Sequence, residues 1–95
     1  MKLHFVSGKE LHITDYSRLE LNRRQGDQVH INISNSRGDL AFNSLFDEIQ
    51  TLLNGDDTFI VIIESGGNTA VYDSMTVNYY MSGDSEMLHF SKSQI

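Results

Sequence analysis

With cysteine absent, disulfides and thiolate metal sites are excluded, and the residues whose types and spacing could do chemistry are first of all the four histidines, beside thirteen carboxylates. The histidines share one context: Leu3-His4-Phe5, Leu11-His12-Ile13, Val29-His30-Ile31 and Leu88-His89-Phe90. On a strand, side chains alternate between faces, so each imidazole points away from the side its apolar neighbours bury. His4 and His12 also flank Ser7-Gly8-Lys9, which reads as a hairpin loop. Pairing Phe5 with Leu11 and Leu3 with Ile13 keeps the apolar residues together and sets His4 directly opposite His12, with β-carbons about 5 Å apart. Zinc accepts neutral imidazole and carboxylate in a tetrahedral set. The expectation is a structural Zn2+ held by His4, His12 and His30 with His89 or an acid such as Asp15, a staple for a small cysteine-free domain. The competing expectation is four ordinary histidines on half-exposed strand faces.

Nothing else in the sequence favours catalysis. Ser65-Gly66-Gly67 does not form a nucleophile elbow, and no glycine-rich phosphate loop precedes a helix. Arg37-Gly38-Asp39 reads as a plain turn, and Asn32-Ile33-Ser34 falls within an expected strand. The sequence therefore predicts a protein that is not an enzyme.

The elements that must position these residues form one domain spanning residues 1–95. Alternating residues predict strands at 2–6, 10–14 and 28–34, with Ser17 to Gly26 as a loop or ragged edge segment and Asn35 to Asp39 as a turn. Leu45, Phe46, Ile49, Leu52 and Leu53 fall on one stripe at helical spacing. Asn43 or Ser44 would cap that helix, acids in its first turn would suit its dipole, and Asn54-Gly55 would end it. Phe59 to Ile63 is an unbroken β-branched run suited to a central strand covered on both faces. Thr69 to Tyr72 follows, then a hairpin of Thr76 to Met81 with Glu86 to Ser91. The expected fold is α+β, an antiparallel sheet of about six strands with one amphipathic helix, in the order β-β-β-α-β-β-β. Tyr72, Tyr79 and Tyr80 with Met75 and Met81 are candidates for an exposed adhesive patch.

Charge is unevenly distributed. Up to Gly38 there are six bases and four acids, net +2; from Asp39 onward one base, Lys92, faces nine acids, net −8. An acidic surface repels nucleic acid and attracts basic proteins, including those that hold nucleic acid themselves. The candidate partner-binding residues are Asp47, Glu48, Asp56, Asp57, Glu64, Asp73, Asp84 and Glu86. No apolar run approaches the roughly 20 residues of a membrane span, and Met-Lys-Leu-His lacks an apolar signal core, so an intracellular, soluble protein is expected, with neither membrane nor nucleic acid as direct partner.

The strand pair containing Lys2-Leu3-His4-Phe5 and Gly8-Lys9-Glu10, a helix like Ser44 to Asn54, and the close on Thr76-Val77-Asn78-Tyr79-Tyr80 and Met87-Leu88-His89-Phe90 together resemble small phage and prophage proteins of Gram-positive hosts. By element order, size and charge the chain most resembles acidic type II-A anti-CRISPR inhibitors. That resemblance implies a phage-encoded, non-enzymatic inhibitor that binds the RNA-guided nuclease in the host cytoplasm and blocks DNA loading. A minor phage tail or baseplate protein is the alternative, and would show an exposed strand edge or apolar patch for assembly.

Overall fold

The computed structural model describes residues 1–14, 16–24, 28–38 and 40–92; Asp15, Gly26 and Asp39, named above, lie outside the described residues. The strands are β1 (Lys2–Phe5), β2 (Glu10–His12), β3 (Arg18–Arg24), β4 (Gln28–Asn35), β5 (Phe59–Ser65), β6 (Asn68–Tyr72), β7 (Thr76–Ser82) and β8 (Ser85–Lys92), with helix α1 (Ala41–Asn54) between β4 and β5. They form two antiparallel four-stranded sheets, ordered β2-β1-β5-β6 and β3-β4-β8-β7. The α+β class and the single helix agree with expectation, but one six-stranded sheet is replaced by two of four. Ser17 to Gly26 supplies one of the added strands: β3 pairs along its length with β4. Leu19 and Leu21 oppose Ile33 and Ile31; two aliphatics in the right phase are enough for an edge strand.

Both sheets feed one core. Leu3, Phe5, Phe59 and Val61 enter from the first, Ile31, Ile33, Leu88 and Phe90 from the second, and Phe42 and Ile49 from α1. The Phe59 and Phe90 rings meet edge-on across the layers, centroids 6.2 Å apart, a favoured aromatic geometry. β5 is interior to its sheet, yet only Phe59 and Val61 are buried; Ile60 and Ile62 are half-buried on the outer face. Among the described residues no helix is long and apolar enough to cross a membrane.

α1 has its N-cap position at Leu40, three residues before Asn43 and four before Ser44. Its apolar stripe extends back to the buried Phe42, in phase with Leu45 and Ile49. Neither Asn43 nor Ser44 caps it, and its first turn carries no acid. The cap comes from across the fold: a Glu86 oxygen on β8 accepts the Phe42 N–H at 3.0 Å, a carboxylate placed where the dipole favours one. Glu86 is only 2 % exposed. Its carboxylate also accepts from Asn35 Nδ2 at 3.0 Å and from the Tyr79 hydroxyl at 3.0 Å. At the other end, Gly55 is not left-handed; that conformation falls on Asp56, φ 65°. The Asp57 and Asp56 N–H groups donate to Leu52 and Leu53 carbonyls, both at 3.1 Å, which is a Schellman closure.

Removing the Glu86 carboxylate would orphan several buried donors, whereas an amide of the same shape still accepts most of them. Glu86→Ala should therefore lower the unfolding free energy by about 3 kcal/mol and Glu86→Gln by about 1 kcal/mol in urea titrations. Equal losses would argue against the capping role.

Candidate functional site

The first hairpin does not adopt the expected register. Leu3 opposes Leu11, His4 opposes Glu10 and Lys2 opposes His12. A shift of two residues leaves every side chain on its own face, so the apolar pattern is indifferent to it. Gly8 decides: at φ 101° it is the last of a three-residue loop, Val6-Ser7-Gly8, where the left-handed residue of this hairpin type belongs. The Gly8 N–H donates to the Phe5 carbonyl at 2.9 Å and the Phe5 N–H to the Lys9 carbonyl at 2.8 Å. His4 and His12 thus become diagonal neighbours joined by Glu10, whose oxygens lie 3.2 Å from His4 Nδ1 and 3.4 Å from His12 Nε2. The hydrogen bond to His4, with Lys2 nearby, holds the Glu10 carboxyl below its ordinary value.

His30 and His89 occupy the outer face of the other sheet, their ring centroids 5.3 Å apart. The four histidines therefore divide between the outer faces of two sheets, with the whole core between the pairs. Among the described residues no group of three or more His, Asp or Glu could hold a metal ion. The expected zinc staple at His4, His12, His30 and His89 is thereby overturned: outward orientation was read correctly, but two strands of each sheet share it.

The second pair is a proton-ordered chain. Asn32 Oδ1 can only accept, so its hydrogen bond to His89 Nδ1 fixes the proton there. His89 Nε2 then accepts from His30 Nδ1 at 3.4 Å. Burial, aided by the charge His30 would carry, pushes the His89 imidazole below its ordinary value.

The eight candidate acids scatter in role. Glu86 is the buried helix cap and is unavailable to a partner. Glu48 pairs with Lys9 at 3.2 Å and Asp73 with Lys92 at 2.6 Å. Asp57 accepts from the Ser7 hydroxyl at 2.5 Å and from the Ser7 and Thr58 N–H groups at 3.2 and 3.0 Å. Those bonds hold its carboxyl low, and Lys92 does the same for Asp73. Asp47, Asp56, Glu64 and Asp84 are exposed, and no hydrogen-bond or ion-pair partner among the described residues offsets them. Asp84 lies against Gly38 beside the start of α1, Asp47 is on the helix, and Asp56 and Asp57 follow its end. These acids accompany α1 over about 20 Å; Glu64 stands apart, beside a depression lined by Met1, Lys2, His12 and Thr14.

The expected adhesive patch divides as well. Tyr72 and Met75 are core, and Tyr79 is half-buried, stacked on Phe46 with centroids 5.8 Å apart. Tyr80 and Met81 remain, 54 % and 59 % exposed. One feature escaped the sequence reading altogether, a half-open groove of about 270 Å³ where the β1–β2 loop, the end of α1, the start of β5 and the β6–β7 connection meet. Its residues are far apart in the chain, and Val6, expected at the end of the first strand, stands instead in the β1–β2 loop.

No known family, curated protein or solved structure matches this chain.

Because the His89 imidazole is depressed, the unfolded chain binds its proton more readily than the fold does. Its contribution should be full above the ordinary imidazole value of 6.5 and be lost as pH falls through the lower folded value. Urea titrations between about pH 7.5 and 5 should show stability declining, and the decline should shrink in His89→Gln. The depressed carboxyls of Glu10, Asp57 and Asp73 add losses only lower, below 4.5 and 3.8. A decline unaltered by His89→Gln would refute the assignment.

Proposed function

We propose that this protein is a non-enzymatic, phage-encoded inhibitor that binds a basic, nucleic-acid-handling protein of host defence through its acidic surface. The resemblance to type II-A anti-CRISPR inhibitors names the partner class, an RNA-guided nuclease, whose positively charged DNA channel is the natural complement of an acidic protein. The observation that carries this reading is the uncompensated charge along α1. Asp56 stands just past a helix C-terminus with no base in the last turn, where the macrodipole already disfavours anions. Charge kept where it does not help the fold is charge available for recognition.

The test is binding to the guide-loaded nuclease, with target DNA as competitor. Neutralising Asp47, Asp56, Glu64 and Asp84 together (Asn or Gln) should weaken binding roughly 30-fold, with the native affinity falling as salt is raised. Unchanged affinity in that variant would refute the acidic-surface mechanism.

A second reading, a minor tail or baseplate component, is favoured by one observation. Tyr80 and Met81 are exposed on β7, an edge strand, beside a groove of about 230 Å³ shared with Ser34, Ser85 and Met87. Assembly through that edge predicts reversible self-association in sedimentation experiments, abolished by Met81→Lys; a monomer at all concentrations rules it out.

A further inference from the structure

We infer that the groove at the end of α1 is a docking site for a partner segment carrying one large aliphatic side chain flanked by arginine or lysine. This inference rests on the acidic-surface reading and gives it a location and a side-chain chemistry.

The groove walls are mostly apolar, from Val6, Leu53, Phe59, Ile60 and Met75. At about 270 Å³ it falls below the usual 300 to 1,000 Å³ of small-molecule sites and suits a protruding side chain. It is also preformed. The Val6 N–H donates to the Thr58 carbonyl at 2.9 Å, and Ser7 is bound through backbone and hydroxyl to Asp57. Val6 is therefore held 79 % exposed on a pinned loop, which limits the ordering cost of binding. A lone exposed valine needs no explanation; one fixed at the lip of an apolar groove gives a partner side chain something to bury against.

The rim supplies the second half of the complement. Asp73 lines one side, and Asp57, next to the lining Thr58, brackets the other with Asp56 preceding it. α1 ends at the same place, so the negative end of its dipole adds to the field of these carboxylates. Among the described residues the bases nearby are already engaged, Lys92 by Asp73 and Lys9 by Glu48. Lys92 also shows that an ammonium is accepted at this rim. An apolar floor inside a net negative rim selects an aliphatic group between cations over either feature alone.

The test is a titration of the whole protein, followed by amide and methyl NMR, with the peptide acetyl-Arg-Arg-Leu-Arg-Arg-amide. Saturable shifts should centre on Val6, Leu53, Ile60 and Met75. Replacing the peptide's Leu by Ser should weaken binding about 10-fold, and Val6→Ser, at an exposed position, should do the same without disturbing the fold. Shifts spread equally to Glu64 and Asp84 and indifferent to the Leu would overturn the groove in favour of a diffuse field. Concentration-dependent shifts at the groove without peptide would replace the partner segment by a second copy of this chain. Nuclease binding separates the two levels. If it survives Val6→Ser but falls on neutralising Asp47, Asp56, Glu64 and Asp84, the groove is wrong and the acidic-surface reading stands. If the peptide binds the groove while the nuclease does not bind at all, the reverse holds.

Discussion

The carboxylate of Glu86 ties the start of α1 to the two strands that flank β8 in the second sheet. It receives the N–H of Phe42 at the start of α1, the amide of Asn35 at the end of β4 and the hydroxyl of Tyr79 on β7. Leu40, the residue before the helix, is left-handed at φ 53° and offers no side-chain cap, a conformation costing a non-glycine residue about 1–2 kcal/mol. The remote carboxylate offsets that cost and fixes where the helix begins, hence where Ile49 and Leu52 fall against the core. Asn35 extends the network through its Oδ1, which accepts from the Arg37 N–H and Nε, both at 3.2 Å. No side-chain polar atom is left buried and unsatisfied among the described residues, as a polar network inside a small core requires.

Periodicity made much of this legible, and its limits are physical. The strands carrying the histidines, the final hairpin and the helical stripe follow from alternation and the 3.6-residue period. The outward orientation of all four histidines followed from the same rule. Their separation did not, because alternation reports the face of a strand and not which strands share a sheet. The hairpin register failed for a related reason: a two-residue shift is invisible to a pattern of period two, and only the loop position required by Gly8 resolves it. Glu86 was legible and was misread. It stands in phase with Leu88 and Phe90 on β8, so alternation already placed it on the core side, but the acidic composition of the second half drew it onto the surface.

The remaining acids divide between those the fold engages and those it leaves exposed. Asp57, Asp73, Glu48 and Glu10 are tied down by hydroxyls, lysines or imidazoles, and so help to hold loops and strand ends in place. The Asp56 carboxylate is not tied down in this way: its backbone closes α1, but its side chain adds charge at the negative end of the helix. The groove beside it has the same character, since an apolar floor is left unfilled where the β1–β2 loop is firmly pinned.

The sheet order has a consequence for how the chain reaches this structure. β1 finds β5, and β4 finds β8, across about sixty residues of sequence, and such distant pairings put folding in the millisecond-to-second range. During synthesis the early hairpins emerge without their central neighbours, and the second sheet stays incomplete until β8 is released. The residue that caps the helix travels on that last strand. Until it arrives, α1 has an uncapped start and the early strands have unsatisfied edges, a form open to aggregation or to capture by chaperones.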